Sequence, residues 1–161
     1  MRTTFLLAGA LTLILCGCDK KEGGGESPSD PTELGKKIAA DHEAMMAELA
    51  KVLEGKPAPD ALRPKIADLK KKYIQLHVAS GKQRESLAPA DRQKCDSALR
   101  SAMFSMNRDT LKALQAAASE VRKEDNDLAN ELASFNTLTQ YASYELLKKQ
   151  LPKEAERLGI Q

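Results

Sequence analysis

The stretch Ala61-Leu62-Arg63-Pro64-Lys65-Ile66-Ala67-Asp68-Leu69-Lys70-Lys71-Lys72-Tyr73-Ile74-Gln75-Leu76 decides the fold class. Its residues Leu62, Ile66, Leu69, Tyr73 and Leu76 step by 4, 3, 4 and 3. A strand needs alternation of period two, whereas this spacing keeps one apolar stripe on one face of a helix. The heptad-like step is the seam of an antiparallel bundle or a short coiled coil. Lys70, Lys71 and Lys72 fall mainly off the seam and read as a solvated face. Gly81 weakens the end of this helix, which can run on to Leu87.

Upstream, Asp30-Pro31-Thr32-Glu33 supplies an N-cap, a proline at the first helical position and a Glu able to reach back. Leu34, Ile38, Met45, Leu49 and Val52 then form a helical stripe, and Gly55-Lys56-Pro57-Ala58-Pro59 stops it. Downstream, Pro89 opens a third helix, whose face is Cys95, Leu99, Met103, Met106, Thr110, Leu114, Ala117 and Val121. The polar run Lys123-Glu124-Asp125-Asn126-Asp127 is placed in a turn. A fourth helix carries Leu128, Leu132, Phe135, Leu138, Ala142 and Leu146, and Pro152 ends it or begins a poorly anchored tail over 151–161. The expected fold is all-α, an antiparallel up-down bundle of about four helices over 31–150. If residues 122–127 stay helical, the third and fourth helices fuse into one rod, suited to a dimer.

Outward to the N-terminus the chain changes character. Met1-Arg2 is a short positive region, and Phe5 to Leu15 is an uncharged apolar run. That run is shorter than the roughly 20 residues that span a bilayer and has the length of a signal-peptide core. Leu15-Cys16-Gly17-Cys18 resembles the lipobox of bacterial lipoproteins. The resemblance implies that residues 1–17 are a cleaved signal peptide and that Cys18 becomes the lipidated first residue. Cys16 does not fit the lipidated position, because bulky Leu15 precedes it where a small residue is needed. Lipoprotein maturation, as the resemblance implies, adds a diacylglyceryl group and often a third chain, enough for firm membrane attachment. Asp19 resembles a signal for retention in the inner membrane. Residues 18–30, with three consecutive glycines and nothing apolar to bury, read as a flexible tether. The domain then faces the periplasm or the exterior.

Removing residues 1–17 from 161 leaves 144, enough for one domain with a real core. Only Arg2 is lost from 25 basic side chains, leaving 24 against 23 acidic ones. That balance argues against a nucleic-acid partner, which selects a strongly basic face. Cys95 is the one thiol outside the anchor, so no disulfide framework forms within the chain. Its place on the apolar stripe favours a buried, inert thiol.

For chemistry, the candidates are His42, Met45, Met46 and His77. Counted outward from the Pro57 turn, His42 and His77 fall within one or two helical turns of each other in an antiparallel pair. With Met45, Met46, Met103 and Met106 nearby, a copper or haem pocket is the alternative reading, since thioether and imidazole donors suit Cu(I) and haem iron. Against it, no His-x-x-x-His or Cys-x-x-Cys-His spacing occurs, and methionines at helical spacing ordinarily fill core. The expectation is therefore no bound cofactor. Glu48 with Lys51 and Asp68 with Lys72 read as surface pairs, and no nucleophile constellation is present, so no enzyme is expected. Residues 42–53 and 66–73 resemble small helical-bundle lipoproteins of unknown function, which implies the fold and the location and transfers no site residue. The partners expected are the membrane, through the anchor, and another envelope protein; the sequence leaves the oligomeric state open.

Overall fold

The computed structural model describes residues 30–106 and 108–160. The expected signal peptide over 1–17, the expected lipidation at Cys18 and the expected tether over 18–30, apart from Asp30, lie outside the described residues. The described chain is all-α, with no strand. The elements are α1 (Pro31–Leu53), α2 (Pro59–Glu85), α3 (Pro89–Phe104), α4 (Arg108–Glu124), α5 (Asn126–Ser134), a 3-10 segment (Phe135–Ala142), α6 (Tyr144–Gln150) and α7 (Pro152–Arg157).

Four helices open on proline, whose missing N–H costs nothing in the first turn. Asp30 caps α1 by accepting from the Thr32 amide at 2.8 Å, whereas Glu33 turns outward to Lys36 instead of reaching back. Gly55 (φ 74) and Lys56 (φ 51) take left-handed backbone and turn the chain into α2. The antiparallel register of α1 and α2 is marked by Glu48, which accepts from Lys72 Nζ at 2.8 Å and from Tyr73 Oη at 2.9 Å.

The C-terminal half of the chain lies along this pair. Near the start of α1, Gly35 sits against the Cys95 carbonyl and the Leu99 amide of α3, while α4 lines the other half of α1 through Leu111 and Leu114. Further on, Arg63 pairs with Asp125 and Lys70 meets Glu131 at 3.9 Å. Tyr144 Oη donates to the Val78 carbonyl at 2.9 Å. The chain from α5 to α6 therefore follows α2.

The structure corrects four expectations. The third helix is two helices. Ser105 Oγ donates back to the Ser101 carbonyl, and the amides of Ser105 and Met106 bond three residues back, to Ala102 and Met103. That tightened turn ends α3, brings Met106 into the core and leaves Phe104 exposed. The fused-rod alternative fails at Asp125, which is extended (φ −149, ψ 98) and caps α5 through the Leu128 amide at 3.0 Å.

The fourth helix is three pieces. Phe135, Leu138 and Tyr141, all buried, recur every three residues, which is the period of a 3-10 helix. This shift of phase buries Leu147 and leaves Leu146, expected in the core, 44% exposed. Finally, residues 151–161 do not form a loose tail as far as they are described. Ala155 and Ile160 are buried, and Tyr141 Oη donates to Glu154 at 3.2 Å.

The tightest packing gives a direct test. A Cβ on Gly35 would overlap the Cys95 carbonyl oxygen and lie 2.9 Å from the Leu99 amide nitrogen, both backbone atoms of α3. Gly35→Ala should therefore destabilise the fold by about 2 kcal/mol in urea unfolding, despite alanine's better helix propensity. Stabilisation of the kind alanine gives in an open helix would show that α1 and α3 do not meet here.

Candidate functional site: a buried histidine pair

The apolar seam of α2 does not end at Leu76, which is half-buried. It continues as His77, Ser80 and Arg84, all buried. Following Leu62, Ile66, Leu69 and Tyr73, these residues keep to one helix face but change it from apolar to polar. Facing that change, α1 presents His42, also buried, between Ile38 and Met45.

The two imidazoles lie side by side, with ring centroids 6.3 Å apart and planes tilted by 41°. Tyr73 stacks one turn below, with its ring centroid 6.5 Å from that of His77. The histidines are 2% and 0% exposed. His42 Nδ1 and both ring nitrogens of His77 are buried without a hydrogen-bond partner among the described residues. A neutral imidazole carries one N–H and one lone pair, and leaving such groups unsatisfied costs roughly 1–3 kcal/mol each.

Burial pushes both imidazoles down to about 4. For His77 the neighbouring His42 and Lys37 add to the shift, and Asp41 opposes it. Lys37 and Asp41 are themselves paired at 2.7 Å. Beside the site, burial and then the Glu48 contact push the Tyr73 phenol up to about 12, so it stays a donor. The pair is thus neutral at ordinary pH, with its lone pairs available.

Of the other candidates, Met45 and Met46 are buried in the larger core. Met46 lines a cavity of about 400 Å³ with Leu49, Leu53, Leu111, Leu114 and Leu132, between α1, α4 and α5. Met106 is buried and Met103 partly so, in the same core. Cys95 lies in a separate apolar cluster with Leu34, Ile38 and Leu87, and burial raises its thiol, which disfavours the reactive thiolate. Among the described residues no three His, Cys, Asp or Glu side chains converge as a metal set.

The sequence reading missed a second polar cluster. Arg84, 5% exposed, donates through Nε and Nη2 to the two carboxylate oxygens of Asp96, each at 2.8 Å, and through Nη1 to Glu85 at 2.8 Å. Arg92 shares Glu85 at 3.0 Å and donates to the carbonyls of Leu87 and Glu85 at 3.0 and 2.7 Å. This network clasps the turn between α2 and α3. The Arg84 guanidinium is paired through each of its three nitrogens, in contrast to the histidines, and reads as structural.

Two measurements follow from these contrasts. Asp96→Asn leaves a buried guanidinium without its bidentate partner, and should cost about 3 kcal/mol in chemical unfolding. An effect below a few tenths would place Arg84 in solvent. For the histidines, the unfolded state binds protons near pH 6.5 and the folded state only near 4. Stability is therefore fully present above about pH 6.5 and falls as pH drops towards 4, by a few kcal/mol in order of magnitude. The double variant His42→Leu, His77→Phe should show a clearly shallower fall over that range. An unchanged slope would show that the imidazoles are not buried neutral.

Comparisons with family models, with curated proteins and with solved structures return no match, so the site is read from its own residues.

Proposed function

We propose that the chain is a lipid-anchored protein of the bacterial cell envelope, whose helical domain is a non-catalytic interaction or structural module held at the membrane surface. The observation that carries this reading is Leu15-Cys16-Gly17-Cys18, placed after an apolar run of signal-peptide length and before a glycine-rich tether. No helix among the described residues is long and apolar enough to cross a membrane. In this reading attachment comes from acyl chains on Cys18, several of which together bind far more firmly than one. The titratable groups support a module without catalysis. Arg63, Arg84, Arg92 and Arg157 are engaged in carboxylate pairs, and the one thiol described is buried.

Within the same proposal, Asp19 favours the inner membrane, and the partner is another envelope protein. The exposed apolar side chains Phe104 and Leu151 are points at which it can dock.

Expression with a clickable palmitate analogue tests the anchor. Wild-type chain and Cys16→Ala should both take up label and sediment with membranes. Cys18→Ala should take up none and leave the membrane fraction. Label retained in Cys18→Ala, or an unlabelled wild type, would sink the proposal.

A further inference from the structure

We propose that His42 and His77 form a two-coordinate binding site for a soft monovalent cation, copper(I), with silver(I) as its surrogate. The proposal concerns the domain interior and stands independently of the membrane anchor.

The first argument is the spacing of the rings. A direct N–H···N bond of about 2.9 Å between facing imidazoles puts their centroids about 5 Å apart. The observed 6.3 Å is too long for that, and these nitrogens make no such bond. A single ion held by one nitrogen of each ring, with bonds of about 2 Å in line, sets the centroids about 6 Å apart. The separation thus matches one bridging atom.

The second argument is the donor set. His42 Nδ1 and both His77 nitrogens are closed off from solvent and have no partner among the described residues. An interior side chain with two idle nitrogens is unusual, because buried polar groups are ordinarily satisfied. Imidazole binds a metal through the lone pair of its neutral form. Neutral imidazole is among the donors that suit copper.

The third argument is charge. Asp41, the carboxylate whose charge reaches His77, is already engaged by Lys37 at 2.7 Å. Two neutral ligands in a closed interior offer no compensation for a divalent ion, whose desolvation is far costlier than that of a monovalent one. The same closure excludes a porphyrin, since rings 2% and 0% exposed leave no slot for a macrocycle around their midpoint. A bare copper(I) ion requires no such slot.

The test uses the full chain as isolated from cells in detergent, under reducing conditions. Copper(I) is titrated in competition with a chromophoric copper(I) chelator, and the loaded protein is examined by X-ray absorption. The expected result is one equivalent retained, with two imidazole nitrogens on the metal. His77→Phe and His42→Leu should each weaken retention at least about 100-fold. Both variants remove idle polar atoms from the interior, so their helical signal and melting temperature should hold or rise. The wild-type spectrum alone decides the case if either variant fails to fold. No retention against the chelator would overturn the proposal. Retention by both variants, or a spectrum without imidazole, would overturn it equally.

Discussion

Where α1 passes α3, the two backbones come so close that only a residue without a side chain fits, and Gly35 occupies that point. This approach fixes how far α1 sinks into the molecule, and the rest of the packing follows from it. Leu34, Ile38, Met45 and Leu49 are essentially closed to solvent. With α3 drawn in against its first half, α1 meets α2 along a second face, α4 near its C-terminal end and the 3-10 segment besides. A helix surrounded in this way must have a wide buried face, and α1 does: nine of its residues are buried. α3 and α4 each bury a single residue, Cys95 and Leu114, and lie as covers over that axis. Gly81 plays the corresponding part on α2, where a Cβ would meet the Tyr144 ring at 2.6 Å and the Tyr141 carbonyl at 2.9 Å.

The interior created around α1 is of two kinds. One end, around Leu49, Ile66, Leu132 and Phe135, is apolar throughout. Towards the other end α2 contributes His77, Ser80 and Arg84. The chain treats its two kinds of polar group differently. Arg84, which cannot lose its charge, is met by Asp96 and Glu85 in a geometry that satisfies the guanidinium fork. His42 and His77 can stay neutral, as burial favours, but His42 Nδ1 and both His77 nitrogens have no partner among the described residues. Leucine or phenylalanine in their place would avoid that loss. The presence of two imidazoles at facing positions therefore points to a use for them, and a soft cation is the use their spacing suits.

Much of this was legible in the sequence because it rests on local chemistry. The 4-3-4 spacing from Leu62 to Tyr73 is enough for the helical class, and the prolines at 57, 59 and 89 mark two turns. Asp125, in a polar run with no glycine or proline, still stops α4, since its short carboxylate caps α5. Counting outward from the first turn also places His42 near His77, because antiparallel helices of equal rise keep equal distances from their loop. The remainder depends on tertiary contacts that spacing does not encode. Leu76 and Leu146 fit their stripes, yet His77 and Leu147 are buried in their stead. The first follows from polar packing beside α1, and the second from the 3-10 phase shift. No glycine or proline adjoins Ser105, and its back-bond to Ser101 becomes visible only in three dimensions. The Arg84–Asp96 pair joins two helices across a turn, a contact that no spacing along the chain marks.

The central claim is that α1 is the axis on which the other helices depend, with the histidine pair sealed between it and α2. Native-state hydrogen exchange resolved by residue tests this most directly. The account predicts that amides of α1 from Ile38 to Leu49, and those of α2 from Ile66 to Ser80, exchange only through global unfolding. Amides of α4, which buries one side chain, should exchange through smaller openings. If the amides around His42 exchange as fast as those of α4, α1 is not the axis of the fold and the pair is not sealed.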